Sequence, residues 1–167
     1  MNRLVLLLTL FFGLCCSVSA QSDSLQNTIQ SYLEGNGTQL QYQGAYDQMI
    51  TLVKSQYGAD EVPQAVWDSI TQEKPKAIAS IMNMLGAVYQ QYFNAQDIAA
   101  MQEYFSLTPE GQQQQQSSFF NSETGQKIIA AQSGLSTNIG TASEYWSRDL
   151  YMTTTNTLKN LGYHPKD

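Results

Sequence analysis

The chain is predicted to be all-α, a single-domain bundle of about six to seven short to long helices, and three observations carry that prediction. Beyond its first twenty residues the sequence is rich in Gln, Ala, Ser and Tyr and poor in alternating Val-Thr-Ile runs, so period-two strand segments are hard to find. Glycines and prolines fall between the apolar-periodic segments, where helices stop and start. Within those segments the apolar residues return at threes and fours, the spacing that gathers side chains on one helical face.

A first helix starts at Ser22 or Asp23, turns Leu25, Ile29, Tyr32 and Leu33 inward, and stops at Gly35-Asn-Gly37. A second lines up Tyr42, Tyr46, Met49, Ile50, Val53 and Tyr57 before Gly58. Pro63 opens a third, with Val66, Trp67 and Ile70 inward, and Pro75 a fourth, with Ile78, Ile81, Met82, Leu85, Tyr89 and Tyr92. Asn94 caps a fifth over Ala95 to Phe105; Asp97 sits near its positive end, and Ile98, Met101 and Phe105 point inward. Thr108-Pro109-Glu110 is a fresh start signal, and Gln112 to Gln116 behind it form the exposed face of a sixth helix. From Glu123 to Leu161 no proline intervenes, and the inward stripe runs Ile128, Ala131, Leu135, Ile139, Ala142, Trp146, Leu150, Thr153, Thr157 and Leu161. An unbroken helix of that length would reach about 58 Å, so a break or bend near Gly134 is allowed for, and Gly162 is expected to end the element before Pro165.

Residues 1–20 read as a secretory signal peptide: Arg3 at the tip, the apolar run from Leu4 to Leu14, and the small-residue close Ser17-Val-Ser-Ala20. The run is short for a membrane span, which needs roughly 20 apolar residues, so cleavage after Ala20 is expected, with no stable membrane anchor. The domain proper is then residues 21–167. Both cysteines, Cys15 and Cys16, leave with the leader, and the body must be stable through its core without disulfides. Loss of Arg3, the leader's one charged residue, moves the net charge from −6 to −7. An acidic surface with scattered Lys and Arg suits neither phosphate backbones nor anionic membranes, so no nucleic-acid partner is expected. Location is expected to be periplasmic or extracellular.

The stretch FFNSETGQK, Phe119 to Lys127, holds the candidate site. Asn121 or Ser122 can cap the last helix, and Glu123 sits well in its first turn. Gly125 is there for room, the close approach of another helix being the simplest reason. A second copy precedes it: Tyr104-Phe105-Ser106 leading to Glu110-Gly111-Gln112 parallels Phe119-Phe120-Asn121 leading to Glu123, Gly125 and Gln126, with loops one residue different in length. Stacked helix-turn-helix units would look like this.

Phe93-Asn-Ala-Gln-Asp-Ile98, followed by Phe119-Phe120-x-Ser122-x-x-Gly125-x-Lys127, resembles the signature of a secreted bacterial family catalogued as domain of unknown function 2059. Members carry Phe-Ser-x-Glu-Glu-Leu and then Phe-Tyr-x-Ser-x-x-Gly-x-Lys. The resemblance covers about residues 75–150, with Phe120 in place of Tyr, Asp97 in the acidic segment, and TPEGQQQQQSS inserted between the two parts. It implies an all-helical secreted domain and no assigned activity.

Two readings attach to Ser122, Gly125 and Lys127: an anion site, in which free helix amides and Lys127 hold a carboxylate or phosphate, and a capped, tightly packed helix start, which is favoured because N-cap serines are abundant and phosphate loops need more glycine. No catalytic residue is assigned. His164 is the one histidine and lies near the C-terminus, so a nucleophile lacks a base; no paired Cys or His spacing offers a metal site, and no cofactor is expected. Asp60-Glu61 and the pair Asp68 and Glu73 read as solvated acids, although carboxylates facing across a cleft would permit hydrolysis. The aromatic residues between Tyr89 and Tyr151 are mostly core, with some tyrosines expected at an interface. The expected function is a non-enzymatic binding or scaffolding module of the bacterial cell envelope, taking a peptide, a protein or a small apolar ligand. Alternatives are a self-associating structural protein and a carboxylate-dependent periplasmic hydrolase. Asn36-Gly-Thr38 matches the N-glycosylation acceptor pattern, relevant here to a eukaryotic host, whereas a bacterial one is expected.

Overall fold

A computed structural model describes residues 24–58 and 60–166. The leader expected at 1–20 with Cys15 and Cys16, and the expected helix start at Ser22 or Asp23, lie outside them. Helical residues 24–35 (α1) are followed by α2 (Thr38–Tyr57), α3 (Gln64–Gln72), α4 (Lys74–Gln90), α5 (Ala95–Phe105), α6 (Pro109–Phe120) and α7 (Glu123–Asn160), and the described residues include no strand. The fold is an all-α bundle, as composition and periodicity predict.

Local chemistry sets the boundaries. Gly37 adopts φ 83°, a left-handed conformation that costs glycine little, and so turns α1 into α2. At the far end Gly162, φ 88°, closes α7: the Tyr163 amide donates to the Leu158 carbonyl and the Gly162 amide to the Lys159 carbonyl, both at 3.0 Å. This is the paired C-terminal motif in which a left-handed glycine satisfies the last carbonyls.

α4 lies in the middle of the bundle. α7 runs antiparallel to it, with Trp146 beside Ala77 at one end and Asn138 bonded to Tyr92 at the other. α1 crosses α4 at Gly86, whose missing side chain makes way for Gln26, and amide pairs Gln30–Asn83 at 2.7 Å and Gln26–Gln90 at 2.6 Å tie the two helices. α2 is held on both sides. Its Tyr46 hydroxyl donates to the Ile70 carbonyl at 2.9 Å, and its Gln56 accepts from Tyr151 on α7 at 2.9 Å. The core these helices enclose includes Ile29, Leu33, Tyr46, Val53, Trp67, Ile81 and Leu85, all of them on stripes read from the sequence.

Three details differ from the sequence reading. The break allowed for near Gly134 is absent, because α7 continues over 38 residues. Gly134 serves packing: a Cβ there would lie 2.6 Å from the Tyr92 hydroxyl, which Asn138 holds at 2.9 Å one turn further on. The room for Tyr92 comes at a helix-propensity cost of about 1 kcal/mol. Phe105 does not point inward; it is 41% exposed, because Tyr104 takes the buried place at the end of α5. Finally, the inward stripe of α7 does not pass through Thr153, Thr157 and Leu161, which are exposed, but through Thr154 and Leu158, which are buried. A residue adds about 100° of rotation, so a step of three after Leu150 carries the stripe off the core face, where a step of four keeps it.

The stripe assignment is open to test. Leu158→Ala should cost about 2–5 kcal/mol and Leu161→Ala under about 0.5 kcal/mol, measured by urea unfolding followed by circular dichroism; the opposite order would return the stripe to Leu161.

Candidate functional site

The two segments of the family-like signature meet where the N-terminal turns of α5 and α7 come together. Asn94 caps α5 in a reciprocal box: its side-chain oxygen accepts from the amides of Gln96 at 2.9 Å and Asp97 at 3.0 Å, and the Asp97 carboxylate accepts from the Asn94 amide at 3.0 Å. Asp97 is only 3% exposed. Its remaining acceptor capacity goes to α7, taking the Thr124 hydroxyl at 2.9 Å and the Lys127 ammonium at 3.1 and 3.2 Å. Lys127 also meets Glu123 at 3.0 Å, one turn back on its own helix.

Ser122 is the cap of α7, as its type and place predict. Its hydroxyl accepts from the Gly125 amide at 3.2 Å and donates to the Phe119 carbonyl at 2.6 Å. Gly125 is buried, and a Cβ on it would run into the Phe119 carbonyl oxygen and the Phe120 backbone. The close neighbour is thus the end of α6, joined to α7 by a two-residue turn.

The repeat proposed from sequence is geometric as well. Thr108 caps α6 by accepting from the Gly111 amide at 3.2 Å, as Ser122 does with Gly125. The glutamine after each glycine reaches back to the second aromatic of its own unit, Gln112 to the Phe105 carbonyl at 3.3 Å and Gln126 to the Phe120 carbonyl at 2.7 Å. The leading aromatics of the two units then stack face on face, Tyr104 and Phe119 lying 4.0 Å apart at 2°. The shorter turn of the second unit explains its tighter glycine: at Gly111 the nearest atom to a Cβ is the Leu107 side chain at 3.3 Å, not backbone.

Electrostatically the junction is a buried carboxylate with its cation supplied. Burial pushes the Asp97 carboxyl up, but the Asn94 amide, the Thr124 hydroxyl and Lys127 together outweigh it and hold the group below the usual carboxylate range. Hydrogen bonds to Glu123 and then Asp97 hold the Lys127 ammonium above its ordinary value. An incoming phosphate or carboxylate would therefore compete with two carboxylates already on Lys127, and with the Ser122 hydroxyl on the Gly125 amide. The geometry joins Ser122, Gly125 and Lys127 as a helix joint. Sequence reading placed these three together and missed Asp97 as their partner; the signal available was an acid at the third position of an asparagine-capped helix, where a capping box draws it inward.

Other acids sit apart. Asp68 accepts from Gln64 at 2.7 Å, and Glu61 pairs with Lys166 at 3.1 Å. Glu73 and Asp149 both line a cleft of about 290 Å³ beside Trp146, with Lys76 paired to Glu73 at 3.6 Å. The described residues contain no group of three His, Cys, Asp or Glu that could hold a metal ion, and no helix among them is long and apolar enough to cross a membrane.

A larger groove, of about 670 Å³, lies between α1, α2, the end of α3 and the start of α4. Its floor is apolar, formed by Pro75, Ile78, Ala79 and Met82, and its rim is carboxamide, with Gln30, Gln39, Gln43 and Gln72. No aromatic residue lines it. The aromatics lie instead in the core, at the α5–α6 stack and along smaller clefts such as that lined by Tyr32 and Phe105.

Two outcomes follow for the joint. Because the folded-state pKa of Asp97 is the lower of the two, its carboxylate contributes stability fully present above the unfolded value of about 3.9 and lost as pH falls through the folded value. Asp97→Asn should therefore flatten the acid limb of a plot of urea midpoint against pH, while a limb of unchanged slope would remove Asp97 from it. Gly125→Ala should cost about 1–3 kcal/mol from backbone overlap, and Gly111→Ala should move stability by less than about 1 kcal/mol, both read from urea midpoints.

No protein-family model matches the chain, and neither a curated protein nor a solved structure matches it.

Proposed function

We propose that the chain is an exported, non-enzymatic binding module of the cell envelope that holds a short extended peptide in the groove between α1, α2 and α4. The observation that carries this is the pairing of an apolar floor with a carboxamide rim in a volume of about 670 Å³, within the range of small-ligand sites. A free carboxamide offers two donors and an acceptor, the complement of the unpaired N–H and C=O groups along an extended backbone; Gln30 already gives one donor to Asn83 at 2.7 Å.

Charge narrows the ligand. Lys74, at the groove, is bound by Asp47 at 2.7 and 2.8 Å, while Glu34 on the rim and a net charge of −6 for the chain disfavour acidic ligands. A neutral or basic peptide fits better than an acidic one. Export rests on the leader-like residues 1–20, and the resemblance to domain of unknown function 2059 supports the same secreted, helical reading.

The reading is tested by screening the exported protein against an array of immobilised hexapeptides. Ala79 is exposed on the floor, so Ala79→Glu puts a carboxylate there without entering the core. A subset of neutral and basic peptides should be retained, and Ala79→Glu should weaken their retention about tenfold or more at unchanged helicity. No retained peptide, or retention indifferent to Ala79→Glu, would overturn the proposal, and a mass that rises with concentration in light scattering would favour self-association in its place.

A further inference from the structure

Asn36-Gly37-Thr38 is the one Asn-x-Ser/Thr pattern in the chain, and it occupies the exposed turn between α1 and α2. Several features of that turn go beyond the pattern. Asn36 is exposed, and a Cβ built on Gly35 or Gly37 would meet nothing within 4 Å, so the turn stands in open space. The Asn36 side-chain oxygen accepts from the Thr38 amide at 3.1 Å and from the Thr38 hydroxyl at 2.7 Å. Side chain and backbone are thereby locked as an Asx turn, with the hydroxyl two residues on holding the carboxamide by its oxygen. Reaction is then needed only at the nitrogen.

The surroundings suit a sugar. Asn36 lines a cleft of about 100 Å³ together with Tyr32, Gln102, Phe105 and Ser106. Phe105, displaced from the core by Tyr104, is 41% exposed and lines the same cleft as the asparagine. The apolar C–H face of a sugar ring can cover such a face, while Gln102 and Ser106 stand beside it as partners for sugar hydroxyls. Glu34, exposed and two residues ahead of Asn36, gives the turn an acid that an acceptor groove bearing a cationic side chain can select, so the sequence Glu34-Gly-Asn-Gly-Thr38 does not tie the site to a eukaryotic host.

We propose that Asn36 is a modification site, the acceptor of an N-linked oligosaccharide delivered from a lipid-pyrophosphate donor, and that the first sugar seats against Phe105. In the transfer the Asn36 Nδ2 atom bonds to the anomeric carbon, the bond from that carbon to the pyrophosphate oxygen breaks, the lipid pyrophosphate departs with the electron pair, and a base takes one amide proton. The inference shares the export step with the binding reading and is otherwise independent of the groove.

The test uses the folded full-length chain, a purified oligosaccharyltransferase and its lipid-linked donor, with a peptide of residues 34–38 as reference. Intact and tandem mass spectrometry should show one oligosaccharide on Asn36, retained in Thr38→Ser and lost in Thr38→Ala and Asn36→Gln. An unmodified Asn36 in the folded chain overturns the proposal, whether or not the peptide is modified. The glycan should also raise Tm by about 2–4 °C, and Phe105→Ala should cancel that rise while leaving occupancy unchanged. A glycosylated chain with no rise, or with one that survives Phe105→Ala, overturns the seat on Phe105.

Discussion

Trp146 occupies the place where α2, α4 and α7 converge, and the rest of the bundle is arranged around it. Its ring is 4% exposed and meets Tyr42 of α2 edge to face, at 5.4 Å and 88°, while its indole N–H donates to the Ala77 carbonyl of α4 at 2.9 Å. Burial of an indole is least costly where an apolar shell is joined by a partner for its nitrogen; Trp146 has both, whereas the buried Trp67 indole N–H has no partner among the described residues. The two contacts tie α7 to α4 and to α2 at this point. Along the same helix Asn138 bonds to Tyr92 and Leu158 is buried, and α7 is the long member against which α2, α4, α5 and α6 all pack.

The α5–α6 hairpin is attached differently. α6 buries none of its residues, so it contributes little to the core and depends on its ends. The stack of Tyr104 on Phe119 closes the hairpin, and the Asp97 carboxylate, drawn inward by the Asn94 box, fastens it to Thr124 and Lys127 of α7. A buried carboxylate is tolerated only when its hydrogen-bonding capacity is met, and here three donors meet it. The glutamine run can therefore be solvent-facing without loosening the join, because the join lies elsewhere.

The groove assigned to peptide binding arises from the meeting of α1, α2 and α4, helices whose inward faces are spent on the core. What is left between them is the polar shoulder of each helix, and in this chain the shoulders are glutamine. Amide-rich walls above an apolar floor are a by-product of bundle packing with this composition. They give a surface able to bond in both directions at many points, which suits a backbone more than a single charged group.

Most of the helix plan was legible in the amino-acid sequence, because caps and stops are local chemistry. Asn94, Thr108 and Ser122 each satisfy amides within three residues, Gly37 and Gly162 each supply one left-handed conformation, and the stripes of α1 to α4 were read correctly from their threes and fours. The site was legible in part. Ser122 as a cap depends only on its neighbours in the chain, whereas the partner of Lys127 is thirty residues away in Asp97, and nothing in the spacing of either reveals the other. Only the tertiary structure decided that Gly134 would be a contact for Tyr92 instead of a break, that Leu158 and not Leu161 would end the inward stripe, and that Phe105 would stand beside Asn36. Each of those outcomes turns on what another helix places opposite the residue, and a side chain's own sequence neighbourhood carries no record of that.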